Sequence, residues 1–227
     1  MIAGMEDAGE GNLRRIPMKN EKRDFDTAAV SWDEPRRMRM AGDIAGALRE
    51  EINLDSAMDV LDFGCGTGLL TLSLQPFVAS ITGVDGSRGM LDMLDSKIRD
   101  RKLSNVRTLQ LDPDKGDRLE GRFDLVTSSM ALHHVRDIPA LLGQFYRITT
   151  PGGYLCIADL DPEGGLFHAD NHTGVFHDGF DRIEFRNMFI GAGYTDVRDR
   201  TATTVLKPVP GGASEFSIFL MAGRKKA

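Results

Sequence analysis

The chain has 227 residues, of which 41% are hydrophobic and 27% charged, with a formal net charge of −6. That describes an ordinary globular chain long enough for one α/β domain, and it excludes wholesale disorder. The acidic balance also opposes a sequence-independent grip on a nucleic-acid backbone, which needs clustered Lys and Arg, so no nucleic-acid partner is expected.

Residues 1–30 mix Gly, Asn, Lys, Arg and Glu without a period and read as a flexible lead or lid. They lack the apolar stretch of a signal peptide, and no apolar run reaches the roughly 20 residues of a membrane span. The two cysteines, Cys65 and Cys156, are too few for a disulfide framework and wrongly spaced for a zinc knuckle. Both read as reduced, so the expected compartment is the cytoplasm.

From residue 31 to 227 the pattern is that of a single domain. Ser31 is placed to cap an amphipathic helix carrying Met40, Ile44, Ala47, Leu48 and Ile52 on one face. Then come alternating units. MDVLDF is a strand and GLLTLSLQPF a short helix stopped near Pro76. SITGVD is a strand and SRGMLDMLDSKIRDRKL a helix with Met90, Leu91, Leu94 and Ile98 on one face. NVRTLQLD is a strand followed by a polar loop. FDLVTSSM is a strand, and DIPALLGQFYRIT a helix ended by Thr-Pro-Gly-Gly. YLCIADL is a fifth strand. Such alternation predicts a mostly parallel sheet with helices on both faces. After a loop from Asp161 to His177, DGFDRIEFRNMFIGAG is a helix closed by Gly191 and Gly193. YTDVRDRTATTVLKP and EFSIFLMAGRK are joined too tightly for a crossover helix, so they form an antiparallel hairpin.

The chemistry gathers around VLDFGCGTGLL, Val60 to Leu70. Gly64, Gly66 and Gly68 turn a strand into a helix whose first amides face whatever lies above. The spacing is G-x-G-x-G, not the G-x-G-x-x-G of a dinucleotide site. Asp62 just before it either suits a cationic ligand or merely forms the turn. Asp85, followed by Gly86, ends the second strand where a carboxylate can accept from both hydroxyls of a ribose. Asp112, followed by Pro113, stands at the tip of the third.

Other residues carry two readings each. His133 and His134 follow the fourth strand and either pack and cap the next helix or act on a substrate. Trp32, beside Asp33, Arg36 and Arg37, either covers a ligand or anchors its helix on the core. Met38, Met40, Met90 and Met93 read as core filling. His168, His172 and His177 lie near Asp170 and Asp178 in a loop without legible ligand geometry, and no metal is expected.

Together these segments resemble the class I S-adenosylmethionine-dependent methyltransferases over nearly the whole chain. VLDFGCGTG is similar to the family's first motif and GVDGSRGML to its second. FDLVTSSMALHHV and PGGYLCIADL follow in order. The resemblance implies a Rossmann-like seven-stranded sheet with an antiparallel C-terminal hairpin. It implies S-adenosylmethionine as cofactor, S-adenosylhomocysteine as product, and methyl transfer to a small-molecule acceptor that the sequence does not identify.

By the same resemblance, Asp85 binds the ribose diol and Asp112 the adenine amino group. Gly64, Cys65 and Gly66 meet the methionyl portion through their backbone, with Asp62 organising its ammonium. Gly68, Gly86 and Pro113 belong to the cofactor-binding set, Met90 lies against the adenine ring, and Ser128 sits beside the methionyl end. Trp32 covers the donor, and His133 is the candidate base. The absence of an Asn/Asp-Pro-Pro-Tyr segment after the fourth strand disfavours an amino-methylating nucleic-acid enzyme. A cofactor-binding regulatory protein of the same fold and a nicotinamide-dependent dehydrogenase are the competing readings. Oligomeric state is not legible.

Overall fold

The computed structural model describes residues 23–227. Of the expected lead, residues 1–22 lie outside the described residues. The remainder forms a one-turn helix α1 (Phe25–Ala28), capped by the Asp24 carboxylate, and a 3-10 turn over Ala29–Ser31.

Helix α2 (Pro35–Glu51) starts later than Ser31. Proline sets its own φ and lacks an N–H, which suits the first helical position, and it holds Glu34 extended at φ −76°, ψ 153°. The cap expected from Ser31 is therefore not formed. Ile44, Leu48 and Ile52 are buried as the periodicity predicts, while Met38 is exposed. Met38 accordingly corrects the core-filling expectation.

The units continue as β1 (Asp59–Phe63), α3 (Leu69–Leu74), β2 (Ser80–Asp85), α4 (Arg88–Asp100), β3 (Val106–Gln110), β4 (Phe123–Ser129), α5 (Ile138–Ile148), β5 (Thr149–Leu160), α6 (Arg182–Ala192), β6 (Thr195–Val209) and β7 (Gly212–Arg224). Helix α3 stops at Leu74, and Pro76 sits in a 3-10 turn beyond it. Strand β5 begins at Thr149, five residues before YLCIADL, because its pairing with β4 shifts register between Phe123 and Leu125. That shift absorbs the Thr-Pro-Gly-Gly segment.

All seven strands form one sheet in the order β3-β2-β1-β4-β5-β7-β6. Pairings among β1 to β5 are parallel, whereas β7 runs antiparallel to both β5 and β6. Val209 pairs with Gly212, so only Pro210 and Gly211 turn the hairpin. The order reverses between β1 and β4, and a sheet of this kind opens its ligand crevice beyond the strand ends at that point.

Each face of the sheet has its own core. Leu61, Phe63 and Val126 pack with Phe145, Phe185, Phe189 and Phe219. Val60, Ile81 and Leu125 pack with Ile44, Leu48, Leu74 and Leu220. The alternation of Val60 and Leu61 between the two cores is the period-two geometry of a strand covered on both sides.

Candidate active site

The turn after β1 is held by its own amides. Gly64 and Cys65 both donate to the Val84 carbonyl, at 2.7 and 3.0 Å, and Gly66 donates to Asp85 Oδ2 at 2.8 Å. The three amides expected to meet a ligand are therefore already paired, although all three residues line the cleft. Gly66, at φ +53°, keeps the floor low: a Cβ there would stand 3.9 Å from both Met90 Sδ and Trp32 Nε1. The glycine thus opens a slot between the thioether and the indole. Gly68 serves packing instead, since a Cβ would come within 2.3 Å of Leu94 Cδ1.

Three carboxylates stand at successive strand ends. Asp62 is fully buried on β1 and accepts from the Thr71 hydroxyl at 2.5 Å. Burial, with a smaller contribution from the Asp85 charge, pushes its carboxyl up to about 7. Asp85 accepts from the amides of Gly66 and Ser87, both at 2.8 Å, and burial outweighs these contacts to raise its pKa. Asp112 accepts from the Asp114 amide at 3.1 Å, and its side chain lies 3.6 Å from where a Gly86 Cβ would be. Gly86 thus lies beside the third carboxylate, at the edge of the cleft that follows the second.

The roof comes from the segment before α2. Asp26 Oδ1 accepts from the Ser87 hydroxyl at 2.5 Å and the Gly89 amide at 2.8 Å, which seats α1 on the N-terminus of α4. Asp33 pairs with Lys97 at 2.5 Å and accepts from the Thr67 hydroxyl, tying the start of α2 to the glycine turn. The Arg37 guanidinium stacks over Trp32 at 4.1 Å.

One cleft of about 500 Å³ gathers Trp32, Asp62, Gly64, Cys65, Gly66, Asp85, Gly86, Met90, Asp112, Pro113 and His133. Met40 lines it too and is only partly buried. Ser128 is turned away, its hydroxyl donating to the Phe63 carbonyl at 2.8 Å, and the neighbouring Ser129 faces the cleft.

At the far end stand the histidines. A 3-10 turn, Leu132–His134, follows β4. Asp159 on β5 is wholly buried and accepts from the amides of Leu132 and Leu160 at 3.0 and 2.8 Å. Its Oδ1 lies 2.7 Å from His133 Nδ1. A carboxylate only accepts, so that nitrogen carries the proton and Nε2 holds a lone pair. His134 Nδ1 is 2.7 Å from the Gly174 carbonyl, which fixes it in the same tautomer. His168 reaches in from the loop after β5, with Nε2 at 3.1 Å from His133 Nε2. Burial, reinforced by His133, drives His134 well below the usual histidine range and His168 down to about 3.

The expected loop cluster separates. His172 pairs with Asp178 at 2.7 Å and is half exposed, and His177 meets the Val135 carbonyl at 2.9 Å. Sequence reasoning missed Asp159, although a lone carboxylate in the apolar run YLCIADL requires a partner once buried. It also missed Phe25, Phe176 and Lys207, which line the same cleft.

This strand order, with an acidic crevice at the reversal point, defines a Rossmann-like methyltransferase fold. Residues 33–198 match the family described as a methyltransferase domain. That is more than half of the chain, which therefore belongs to this family within the class I S-adenosylmethionine-dependent methyltransferases. An uncharacterized methyltransferase of Schizosaccharomyces pombe is 32% identical over 62% of this chain and 55% of its own length. A demethylmenaquinone methyltransferase of Symbiobacterium thermophilum is 31% identical over 61% of this chain and 58% of its own. The chain thus spans little more than half the length of these curated relatives. The structure of a Haemonchus contortus phosphoethanolamine N-methyltransferase in complex with S-adenosyl-L-methionine superposes with a TM-score of 0.66. It is 16% identical, and the match covers 81% of this chain and 52% of that one, a likeness of fold. Among the described residues, no helix is long and apolar enough to cross a membrane.

Proposed function

We propose that this protein transfers a methyl group from S-adenosylmethionine to a small-molecule acceptor, leaving S-adenosylhomocysteine. The observation that carries the proposal is the chemistry of the donor set. A fully buried carboxylate, Asp62, accepts from the hydroxyl and the amide of Thr71 and is still pushed up to about 7 by burial, and a ligand cation beside it would offset that desolvation cost. The residues fit the cofactor in the order of its parts. Asp62 would meet the ammonium and Asp85 the ribose hydroxyls. Asp112 and Pro113 would border the adenine, and Met90 and Trp32 would close on either side of the slot above Gly66. With the turn amides already paired, Arg36 or Arg37 on the cleft wall is the group suited to the amino-acid carboxylate.

When bound, S-adenosylmethionine supplies a methyl group on a positive sulfur, open to in-line displacement by a nucleophile. The protein's task is to align that nucleophile and exclude water. A cleft of about 500 Å³ has room for the cofactor and only a modest acceptor. Phe25, Phe167 and Phe176 supply apolar walls at the acceptor end. For a neutral acceptor, His133 would receive the proton on Nε2, with Asp159 steadying the resulting imidazolium through Nδ1. The acceptor's hydroxyl or amine would take the place that His168 occupies against Nε2.

Incubation with methyl-labelled cofactor and a fractionated metabolite pool tests this. Transfer of label to a low-molecular-weight acceptor, lost in Asp85→Ala, is the expected result. Tight cofactor binding without transfer to any acceptor would instead identify a non-catalytic binding protein.

A further inference from the structure

We propose that His133, His134 and His168 form a binding site for one late first-row divalent metal ion, of the zinc type, at the acceptor end of the cleft. One ring nitrogen from each lies within 4.8 Å of the other two. The three come from different places, two from the turn after β4 and one from the loop after β5, and the fold alone brings them together. Two imidazole nitrogens bound about 2.0–2.1 Å from one tetrahedral zinc stand about 3.3 Å apart. The two Nε2 atoms of His133 and His168 are already 3.1 Å apart.

Outer contacts prepare two of the ligands. His133 gives Nδ1–H to a buried carboxylate and His134 gives Nδ1–H to a backbone carbonyl. This is the arrangement that fixes ring orientation and directs the Nε2 lone pair at a metal. Asp159 is itself anchored by the Leu132 and Leu160 amides, so the shell behind His133 is rigid. Three neutral imidazoles suit zinc and its neighbours over magnesium or calcium, which take oxygen ligands. With three protein ligands, one tetrahedral position is left for a water or for an oxygen, nitrogen or sulfur of the acceptor.

Seating the ion asks for one change. Arg23 Nη1 now stands 3.3 Å from His168 Nδ1, where it can only donate. Coordination through Nε2 moves the ring proton to Nδ1, so Arg23 must turn away. An ion on His133 also takes the lone pair that receives a proton in the metal-free protein, so activation would pass from base to metal. Ion uptake itself is independent of the methyl-transfer proposal and is measured separately.

The test is a titration of chelator-stripped protein with Zn²⁺, repeated with Co²⁺ for its visible absorption. One equivalent should bind, and the cobalt bands should report nitrogen ligation. His134→Ala/His168→Ala should weaken Zn²⁺ binding by at least a hundredfold while S-adenosylhomocysteine still binds, which shows that the variant is folded. Asp159→Asn should weaken it about 10–100-fold. Wild-type protein that takes up less than half an equivalent, or a double variant that binds Zn²⁺ as the wild type does, would overturn the metal site and leave the methyltransferase proposal standing. Loss of S-adenosylhomocysteine binding by the stripped wild type would do the reverse.

Discussion

Asp62 is the residue at which the proposed cofactor binding would come at a cost in stability. Its carboxyl has an ordinary value of 3.8 and is raised to about 7 by burial. Between those values the native state holds a proton that the unfolded chain has released. On this group's account stability is fully present below pH 3.8 and is lost as pH rises through 7. Asp62→Asn removes the titration, so the apo variant should be more stable than the wild type at pH 8 by about 1–3 kcal/mol, with no such difference at pH 4. The same variant should bind cofactor at least tenfold more weakly, because the ligand cation loses its counter-charge. Urea denaturation at the two pH values reads the first effect, and a variant less stable than wild type at pH 8 would contradict it. Asp159 acts through a neighbour. Asp159→Asn should lower kcat about 10²–10⁴-fold for a neutral acceptor in metal-free protein, with cofactor affinity kept. An unchanged kcat would remove His133 as base.

At the scale of elements, the cleft depends on two docking contacts between the segment before α2 and the body of the domain. Gly89 is the cleaner handle. It lies in the first turn of α4, and a Cβ there would come within 2.8 Å of the Asp26 backbone. Alanine favours a helix over glycine, yet at this position it must push α1 away. Gly89→Ala should therefore keep the thermal midpoint within a few degrees while raising the cofactor Kd several-fold. Asp26→Ala should raise it similarly, since the Ser87 hydroxyl and Gly89 amide lose their acceptor. If neither variant shifts Kd in calorimetry, α1 does not roof the cofactor. The Lys97–Asp33 contact is the second latch, with the lysine also donating to the Thr67 carbonyl at 2.6 Å.

Across the whole molecule, much of the fold was legible because its signals are local. The switch of hydrophobic period from two to 3.6 marks each strand and helix, and the short Pro210–Gly211 connection permits only an antiparallel hairpin. The strand tips carrying Asp62, Asp85 and Asp112 were legible for the same reason. What was not legible depends on topology. Asp159 meets His133 from β5, and His168 meets it from a loop 35 positions further along; no spacing rule links them. The paired turn amides were hidden because the Val84 carbonyl and the Asp85 carboxylate that hold them belong to the next strand. Helix α2 began late because Pro35 outweighed the polar residues before it.

On the proposed function, the acidic crevice at the tips of β1, β2 and β3 receives a sulfonium nucleoside. Isothermal titration calorimetry of the purified chain with S-adenosylhomocysteine, S-adenosylmethionine and a nicotinamide dinucleotide tests it most directly. One site for each of the first two ligands is predicted, lost in Asp85→Ala, with no heat from the dinucleotide. Folded protein that binds the dinucleotide and ignores both sulfur nucleosides would contradict it.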